Sequence, residues 1–558
     1  MRKSSRMNYY PKKKGLLWAL LFAAAFNIKS QTRTVGLTQY QEKGHQKGYY
    51  LLSPLIDQDN NSYLLDDCGR VVKTWQGNGM PGAACILGHD GSLIRTVAID
   101  NPFMAAGCGG AIEKFNWSGK RIWRWELSDS NESLHHDITE MPNGNILAIV
   151  WVRKTAAEAE AMGRKFPLGK TDILFERIIE IQPKDTSDAE IVWEWSLWDH
   201  VIQNSDPTKP SFGTPSQKPE LLDLNYYDAA DKGRDWLHLN GIDYNPSLNQ
   251  IAITSRSLGE FYIIDHSTTS IEATGHTGGR WGKGGDFLYR WGNPAAYGRG
   301  TPSVKRLFVP HHAHWIKNGL PHAGNFLVFN NGVGRPGGAY STVDMVVPPL
   351  DSINRYKQEA TNPYMPLLAI TKYKASNPAS FFSPVVCGSY MLKNGNLLTT
   401  HGLKGQAFET DSSGNILWSY TSPASTSGLL SQGEEPAVNT VFRYEFYHTD
   451  FSGFTGKDLT PGKELELNPY SPRLCENINN HTNRTTVNNT IISPNPAGDF
   501  TWVTAESVVN GKIYNSAGHL AGSFTGNRID LSKLKPGLFI LTFEADGKTR
   551  RERLIKHE

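Results

Sequence analysis

At 558 residues the chain is too long for one ordinary hydrophobic core, and its length allows three or four domains. With 39% hydrophobic and 20% charged residues it has the balance of a packed globular protein, which excludes a disordered chain. A formal net charge of +3, without any Lys/Arg stripe, excludes a nucleic-acid partner. The excess lies elsewhere: 53 Gly, 15 Trp and 22 Tyr describe many turns and aromatic strands, which point to an all-β architecture.

At the start, Arg2, Lys3, Arg6 and Lys12 to Lys14 precede an apolar run over residues 15–26. The run is shorter than the ~20 residues of a membrane helix, and its basic flank makes 1–30 a signal peptide, with cleavage after Ala25 or Ser30. No later segment approaches a membrane helix. The five cysteines are Cys68, Cys85, Cys108, Cys387 and Cys475, and none has C-x-x-C spacing, so no zinc ribbon or redox dithiol is indicated. An exported chain is expected to form a disulfide within the Cys68, Cys85, Cys108 group, leaving at least one thiol over.

The body over 31–458 repeats two local patterns. One is a turn followed by an apolar strand: HDGSLIRTV, PNGNILAIV, HAGNFLVFN and KNGNLLTT. Asn-Gly and Asp-Gly suggest type I′ hairpin turns, because both central residues tolerate positive φ. The other is a turn followed by a strand ending in Trp or Tyr: CGRVVKTW, SGKRIWRWEL and SGNILWSY, with AEIVWEWSLW and DFLYRWGN as variants. Repeated short meanders with aromatic signatures are the sequence pattern of β-propeller blades, whereas a sandwich requires no turn-to-Trp repeat. The Ala- and Glu-rich segment 154–165 is the one clear helix former, an excursion from a blade. Residues 459–490, rich in Pro and then in Asn and Thr, read as a linker. Residues 491–558 return to strands and turns and read as a small β-sandwich.

Polar residues stand out at several strand starts. LHHDITE carries His135, His136 and Asp137; DWLHLNG carries His238 and Asn240; ITSRS carries Arg256. LFVPHHAHWI carries His311, His312 and His314, and FNNGVGR carries Asn331 and Arg335. Each has a plain reading: turn-capping for His135 and His136, a satisfied core ring for His238, and a surface pair with Asp265 for Arg256. Strand alternation sends His312 and His314 to one face and His311 to the other. H-x-H with a distant His is compatible with zinc or copper, but no HExxH or carboxylate–His pattern accompanies it. The competing chemistry is group transfer to a tetrahedral anion. There Arg supplies bidentate donors, imidazole attacks, and amides stabilise the transferred group. Spacing alone does not choose sulfate over phosphate.

Across DWLHLNGIDYN, ITSRSLGEFYIIDHST, GGRWGKGGDFLYRWGNP, LFVPHHAHWI and GNFLVFNNG, the chain resembles the bacterial arylsulfate sulfotransferases. LHHDITEMPNGNIL and IVWEWSLWDHVIQ extend the likeness over most of the body. The resemblance implies a six-bladed β-propeller that moves a sulfuryl group from a phenolic sulfate ester to a phenol acceptor. The route is ping-pong through a sulfated histidine, without an adenylyl-sulfate cofactor; no other cofactor and no metal are expected. By motif position His311 matches the nucleophile; His238, Asn240 and Arg256 match the sulfate-binding set; and the pair His135/His136 matches a further active-site histidine, the candidate general acid. Asn331 and Thr400 join Asn240 as substrate-binding candidates. The family commonly has Gln before the nucleophile and Asp after it, where this chain has Pro310 and His312. The residue that orients His311 is thereby unassigned, and a non-catalytic surface propeller that binds a ligand or partner is the alternative.

The tail, with SPNPAGDF, KIYNSAGHL, IDLSKLKPGLFILTF and RRERLIKHE, resembles the C-terminal sorting domain of the type IX secretion system of Bacteroidetes. That resemblance implies passage through the outer membrane on that machinery, to a secreted or surface-held state.

Overall fold

The computed structural model describes residues 32–557, except 57–58, 101–106, 108, 167–168, 227–233, 359, 476–491, 494, 496, 504–509 and 546–547. The signal-peptide reading of 1–30 lies outside the described residues. The protein is nearly all β, with 44% strand and 7% helix. It separates into a unit over 1–474 and a unit over 475–558.

The first unit contains six antiparallel sheets of four or five strands, built from consecutive hairpins. Five of them begin with the strands Pro81–Leu87, Glu132–Glu140, Leu239–Asn245, Pro310–Trp315 and Gly388–Met391. The sixth takes its corresponding strand from the far end of the unit: Glu445–His448 pairs with Gly48–Leu52. Conversely, Gly36–Tyr40 adds to the outside of the last sheet by pairing with Ile416–Thr421. The chain ends are thus exchanged between two sheets. First strands contact first strands in succession; Leu239–Asn245 touches both Glu132–Glu140 and Pro310–Trp315.

The repeated sequence patterns have separate structural jobs. The turn motif is not type I′. Gly144 has φ +83° but Asn143 is not left-handed, and Gly144 N–H donates to Met141 while Met141 N–H donates to Asn145. A type I turn closed by a left-handed Gly, a G1 bulge, has this pattern. Asn143 Oδ1 accepts from Asn145 N–H at 3.0 Å, which holds the preceding residue in the right-handed region. The same bonding recurs at Asn394-Gly395 and Asp90-Gly91.

The turn-to-Trp motif joins neighbouring sheets. Trp75 Nε1 donates to the carbonyl of Asn116, Trp123 to Asp188, Trp195 to Gly285, Trp291 to Pro366 and Trp418 to Asp67, at 2.6–3.0 Å. Each acceptor lies on or beside the next sheet. An indole suits this place because its body fills the apolar joint while its N–H satisfies a buried carbonyl. The joint between the sheets of Ile370–Tyr373 and Gly388–Met391 uses Tyr373, Phe381 and Phe408 instead. The expected helix is Ala156–Ala161, begun by a Thr155–Glu158 capping box, and it interrupts one sheet between two strands.

Two sequence expectations change. Cys85 is a buried free thiol, as is Cys387, while Cys68 and Cys475 are disulfide-bonded; Cys108 lies outside the described residues. Spacing brought Cys85 close to Cys68 in sequence, but strand pairing carries it into an apolar cluster with Leu51, Leu64 and Trp75. Residues 459–474, the first part of the expected linker, are bonded to the first unit. Val71 N–H donates to Lys463, Leu467 pairs with Ser431, and Leu465 is buried. Polar, Pro-rich composition hid a segment held by backbone bonds rather than by a periodic apolar face.

The second unit has a three-stranded sheet of Ile492–Ser493, Phe500–Val503 and Arg528–Asp530. Its four-stranded sheet contains Asn510–Asn515, Leu520–Thr525, Gly537–Ala545 and Lys548–Lys556. Val503, Ile513, Ile529, Leu541 and Leu554 from both sheets share one apolar cluster.

Candidate active site

Three adjacent first strands break register at or within two residues of a histidine. His136, His238 and His312 have φ of 50°, 50° and 52°. Left-handed backbone at a non-Gly residue costs about 1–2 kcal/mol. At each place the ladder skips: Ala148 faces Ile138 while Ile149 faces His135, Leu239 faces Ser255 while Gly241 faces Thr254, and His311 faces Phe329 while His314 faces Leu327. A bulge re-aims side chains that simple alternation would separate. The rings of His136 and His238 consequently meet at 4.5 Å between centroids. His311 and Arg256 are near enough to both to depress the His136 imidazolium, after the larger effect of burial.

His311 is buried, and its Nδ1 lies 2.7 Å from Oδ1 of Asn331. The Asn331 amide nitrogen is committed to the carbonyls of Ser383 and Val386, at 2.7 and 3.1 Å. Both of those are acceptors, so the Asn331 oxygen must face His311, and Nδ1 of His311 must carry the hydrogen. Nε2 keeps the lone pair. Burial pushes His311 down to about 3, with Arg256 and His238 adding to the effect against the Asn331 bond. At neutral pH the ring is uncharged.

His238 gives its Nδ1–H to Asp235 at 2.5 Å. Burial raises the Asp235 carboxyl, but the His238 bond and the nearby His135 and Arg256 outweigh it and hold it below its ordinary value. The Arg256 backbone N–H donates to His238 at 3.1 Å, which fixes the two residues together. Arg256 forms no ion pair among the described residues; Asp265 instead accepts from Ser267 and Trp281. Asp235 is the carboxylate near enough to act on the Arg256 guanidinium, and it is already engaged by His238. Asn240 is fully buried, donates Nδ2–H to Pro310 at 3.0 Å, and has an unpartnered Oδ1.

Behind His136 lies a polar chain: His136 Nδ1 is 2.8 Å from His135 Nδ1, and His135 Nε2 is 2.7 Å from Glu176. His135 also stacks on Trp151 at 3.9 Å, so its orientation is fixed. Burial pushes His135 down to about 3 and Glu176 well above the usual carboxylate range, so both are driven toward their uncharged forms. Asp137 points elsewhere, into a bidentate pair with buried Arg443 at 2.8 and 2.9 Å.

His311, His238, Arg256, His135 and His136 are therefore brought together, with Asn240 between strands beside them. Asn331 sits behind His311 with its amide fully engaged rather than open to a ligand. Thr400 is buried, and its Oγ accepts from Tyr444 N–H at 3.0 Å. His312 and His314 stack on each other at 4.2 Å and line a separate cavity of about 350 Å³ with Tyr390, Arg443 and Asp243. Glu176 and Asp235 escaped notice in the sequence. Asp235 stands three residues before His238, and that spacing was the available signal; Glu176 offered none, because only the sheet brings it to His135.

A sequence profile of the arylsulfotransferase (ASST) family matches residues 34–445, well over half of the chain. The chain belongs to the arylsulfotransferase family. A second profile, for the secretion system C-terminal sorting domain, matches residues 491–557. This arylsulfotransferase thus carries a type IX sorting tail, which marks it for export to the cell surface or beyond. No helix among the described residues is long and apolar enough to cross a membrane.

A search of curated proteins returned no match. Among solved structures, virginiamycin B lyase from Staphylococcus aureus is 12% identical over 70% of this chain and 85% of its own, with a TM-score of 0.31. A putative 6-phosphogluconolactonase from Bacteroides uniformis is 8% identical over 72% and 100%, with a TM-score of 0.36. The periplasmic gluconolactonase of Pseudomonas aeruginosa is 11% identical over 71% and 98%, with a TM-score of 0.32. Scores this low carry no argument about this chain.

Proposed function

We propose that this exported arylsulfotransferase moves a sulfuryl group from a phenolic sulfate ester to a phenol by a ping-pong route, with His311 Nε2 as the nucleophile. The observation that carries this reading is the His311–Asn331 bond, which leaves Nε2 with its lone pair in the company of an unpaired Arg256. The first half-reaction forms the Nε2–S bond and breaks the S–O(aryl) bond. Arg256 donates to sulfuryl oxygens whose charge shifts as the group is passed, with the His238 ring packed beside the group. Sulfation makes His311 an imidazolium whose Nδ1–H still donates to Asn331. A neutral amide does not cancel that charge as a carboxylate would, so the sulfo group stays easy to transfer onward.

The leaving phenolate needs a proton, and the chain of Glu176, His135 and His136 can supply it. With Glu176 protonated, its O–H donates to His135 Nε2, His135 Nδ1–H donates to His136 Nδ1, and His136 Nε2 carries hydrogen. Giving that hydrogen to the phenolate shifts each proton one place and leaves Glu176 ionised. In the second half-reaction the acceptor phenol returns its proton to His136 Nε2, its oxygen attacks sulfur, and the N–S bond breaks. One chain then serves as acid and as base.

The wider reading completes the proposal. The six sheets are the blades of a propeller whose first strands surround the site, residues 491–558 form a small sandwich handled by the type IX machinery, and 1–30 is a signal peptide. The decisive experiment incubates the purified protein with an aryl sulfate, with and without a phenol. A gain of one sulfo group on the peptide containing His311, discharged by phenol, is the expected result. Absence of both desulfation and mass gain would overturn the proposal in favour of a non-catalytic binding propeller.

A further inference from the structure

A second histidine group lies away from this site, where the sheet ending in Asp188–Ser196 meets the loop that precedes Tyr289–Trp291. His200 Nε2 lies 2.8 Å from the carbonyl oxygen of Ala273, which only accepts, so this nitrogen carries the hydrogen. An uncharged His200 therefore keeps its lone pair on Nδ1. That Nδ1 faces Oδ1 of Asp286 at 2.8 Å, and His276 Nδ1 lies 2.8 Å from the same oxygen. The two rings cross at 87°, and the three ligand atoms lie within 4.8 Å of one another.

Two imidazole nitrogens and a carboxylate converging on one point is an arrangement that asks for a cation. The His200 ring has no exposure at all, so its Nδ1 can meet only what lies beside Asp286. A metal ion serves all three groups at once. A ligating imidazole commonly gives its other N–H to a backbone carbonyl, which fixes the tautomer, and His200 does so to Ala273. The His200 ring is further held parallel to Trp195, 5.6 Å away at 4°. Asp286 is nearly buried, whereas the His276 side chain is 59% exposed, which gives a preformed floor and an entry path. Zn–N of ~2.0–2.1 Å and Zn–O of ~2.0–2.2 Å set tetrahedral ligand atoms about 3.3 Å apart. Each N···O pair thus opens by about 0.5 Å to admit the ion, a movement the exposed His276 loop allows.

We propose that His200, His276 and Asp286 form a divalent transition-metal site of the Zn²⁺ class, completed by water, that fastens the Gly-rich loop over 275–285 to the preceding sheet. Two imidazoles with one carboxylate favour zinc over the hard cations magnesium and calcium. The site reinforces the joint already made by Trp195 and the Gly285 carbonyl, and it has no part in sulfuryl transfer.

The full chain, purified without a histidine tag, is dialysed against Zn²⁺ and then against buffer, and its metal content is measured. Co²⁺ serves as the visible probe in a parallel sample. One bound equivalent is expected, with a Co²⁺ spectrum of low-symmetry four-coordination and a thermal midpoint that rises with free Zn²⁺. His276→Ala, at an exposed position that leaves folding intact, is expected to lose the equivalent and the midpoint shift, and Asp286→Asn to weaken binding at least tenfold. His312→Ala is expected to retain both. A wild-type chain that keeps no metal, a His276→Ala variant that keeps as much as wild type, or loss of the metal in His312→Ala would each overturn the proposal.

Discussion

His311 and His200 are both buried imidazoles with one nitrogen fixed by an oxygen acceptor, yet the two rings are set for opposite purposes. At His311 the acceptor is a neutral amide on Nδ1, and the positive groups near the ring, Arg256 and His238, work with burial against a charge on it. At His200 the acceptor is a carbonyl on Nε2, and the free nitrogen faces an anion, Asp286. A neutral imidazole kept in the neighbourhood of positive charge suits attack on an anionic ester. A lone pair held before negative charge suits a metal ion. The lesson is that residue type and burial alone do not assign a histidine; the sign of the charge near the ring does.

The largest test of the contrast is His311→Ala. Sulfuryl transfer is expected to fall about 10⁴-fold or more, as for removal of other covalent nucleophiles, while the thermal midpoint barely moves. Loss of the midpoint together with activity would mean that His311 is a packing residue. Next comes Asn331. Asn331→Leu removes the acceptor on Nδ1 and is expected to cost about 10²-fold in kcat, roughly 2.7 kcal/mol. Asn331→Asp gives the sulfated ring a counter-charge. The first half-reaction should then persist while discharge to phenol slows, so rapid-quench experiments should find sulfated enzyme accumulating. Equal slowing of both halves would refute the role given to the neutral amide.

Acid is a third lever. Burial holds His311 and His135 near 3 and His314 near 4, against an ordinary value of 6.5. In the unfolded chain these rings take up protons as pH falls through about 6.5, whereas the folded protein refuses them until about 3–4, so the unfolded state binds more protons in that window. Stability is therefore full above pH 6.5 and falls as pH drops, by up to about 1.4 kcal/mol per pH unit for each ring. Denaturant titrations between pH 4 and 7 should show that slope, and a flat profile would contradict neutral burial. The smallest effect concerns the joint beside His200. Trp195→Phe removes the N–H that satisfies the Gly285 carbonyl and should cost about 1–3 kcal/mol of stability with transfer activity retained.

Much of the fold was legible because local chemistry writes it. Turn glycines, Asx side chains and aromatic strand ends mark hairpins within a few residues of each other. What they marked was partly misread: the turns are type I with a left-handed Gly, since Asn and Asp accept from the backbone two residues on instead of taking positive φ themselves. The Trp repeat was visible, but its use, an N–H delivered to the neighbouring sheet, depends on residues tens of positions away. The same distance hid Glu176 behind His135.

By itself the sequence determined the all-β class, the division into a large body and a small tail, and the identity of the polar residues at strand starts. Those follow from periodicity, composition and spacing, which are local. The tertiary structure alone decided which of these residues meet. Bulges at His136, Asn240 and His312 re-aim side chains that alternation would scatter, sheet pairing places Asn331 behind His311, and a loop crossing between sheets places Asp286 against His200. Each of those outcomes rests on contacts between distant segments, whose closure depends on the packing of the whole body rather than on any stretch of it.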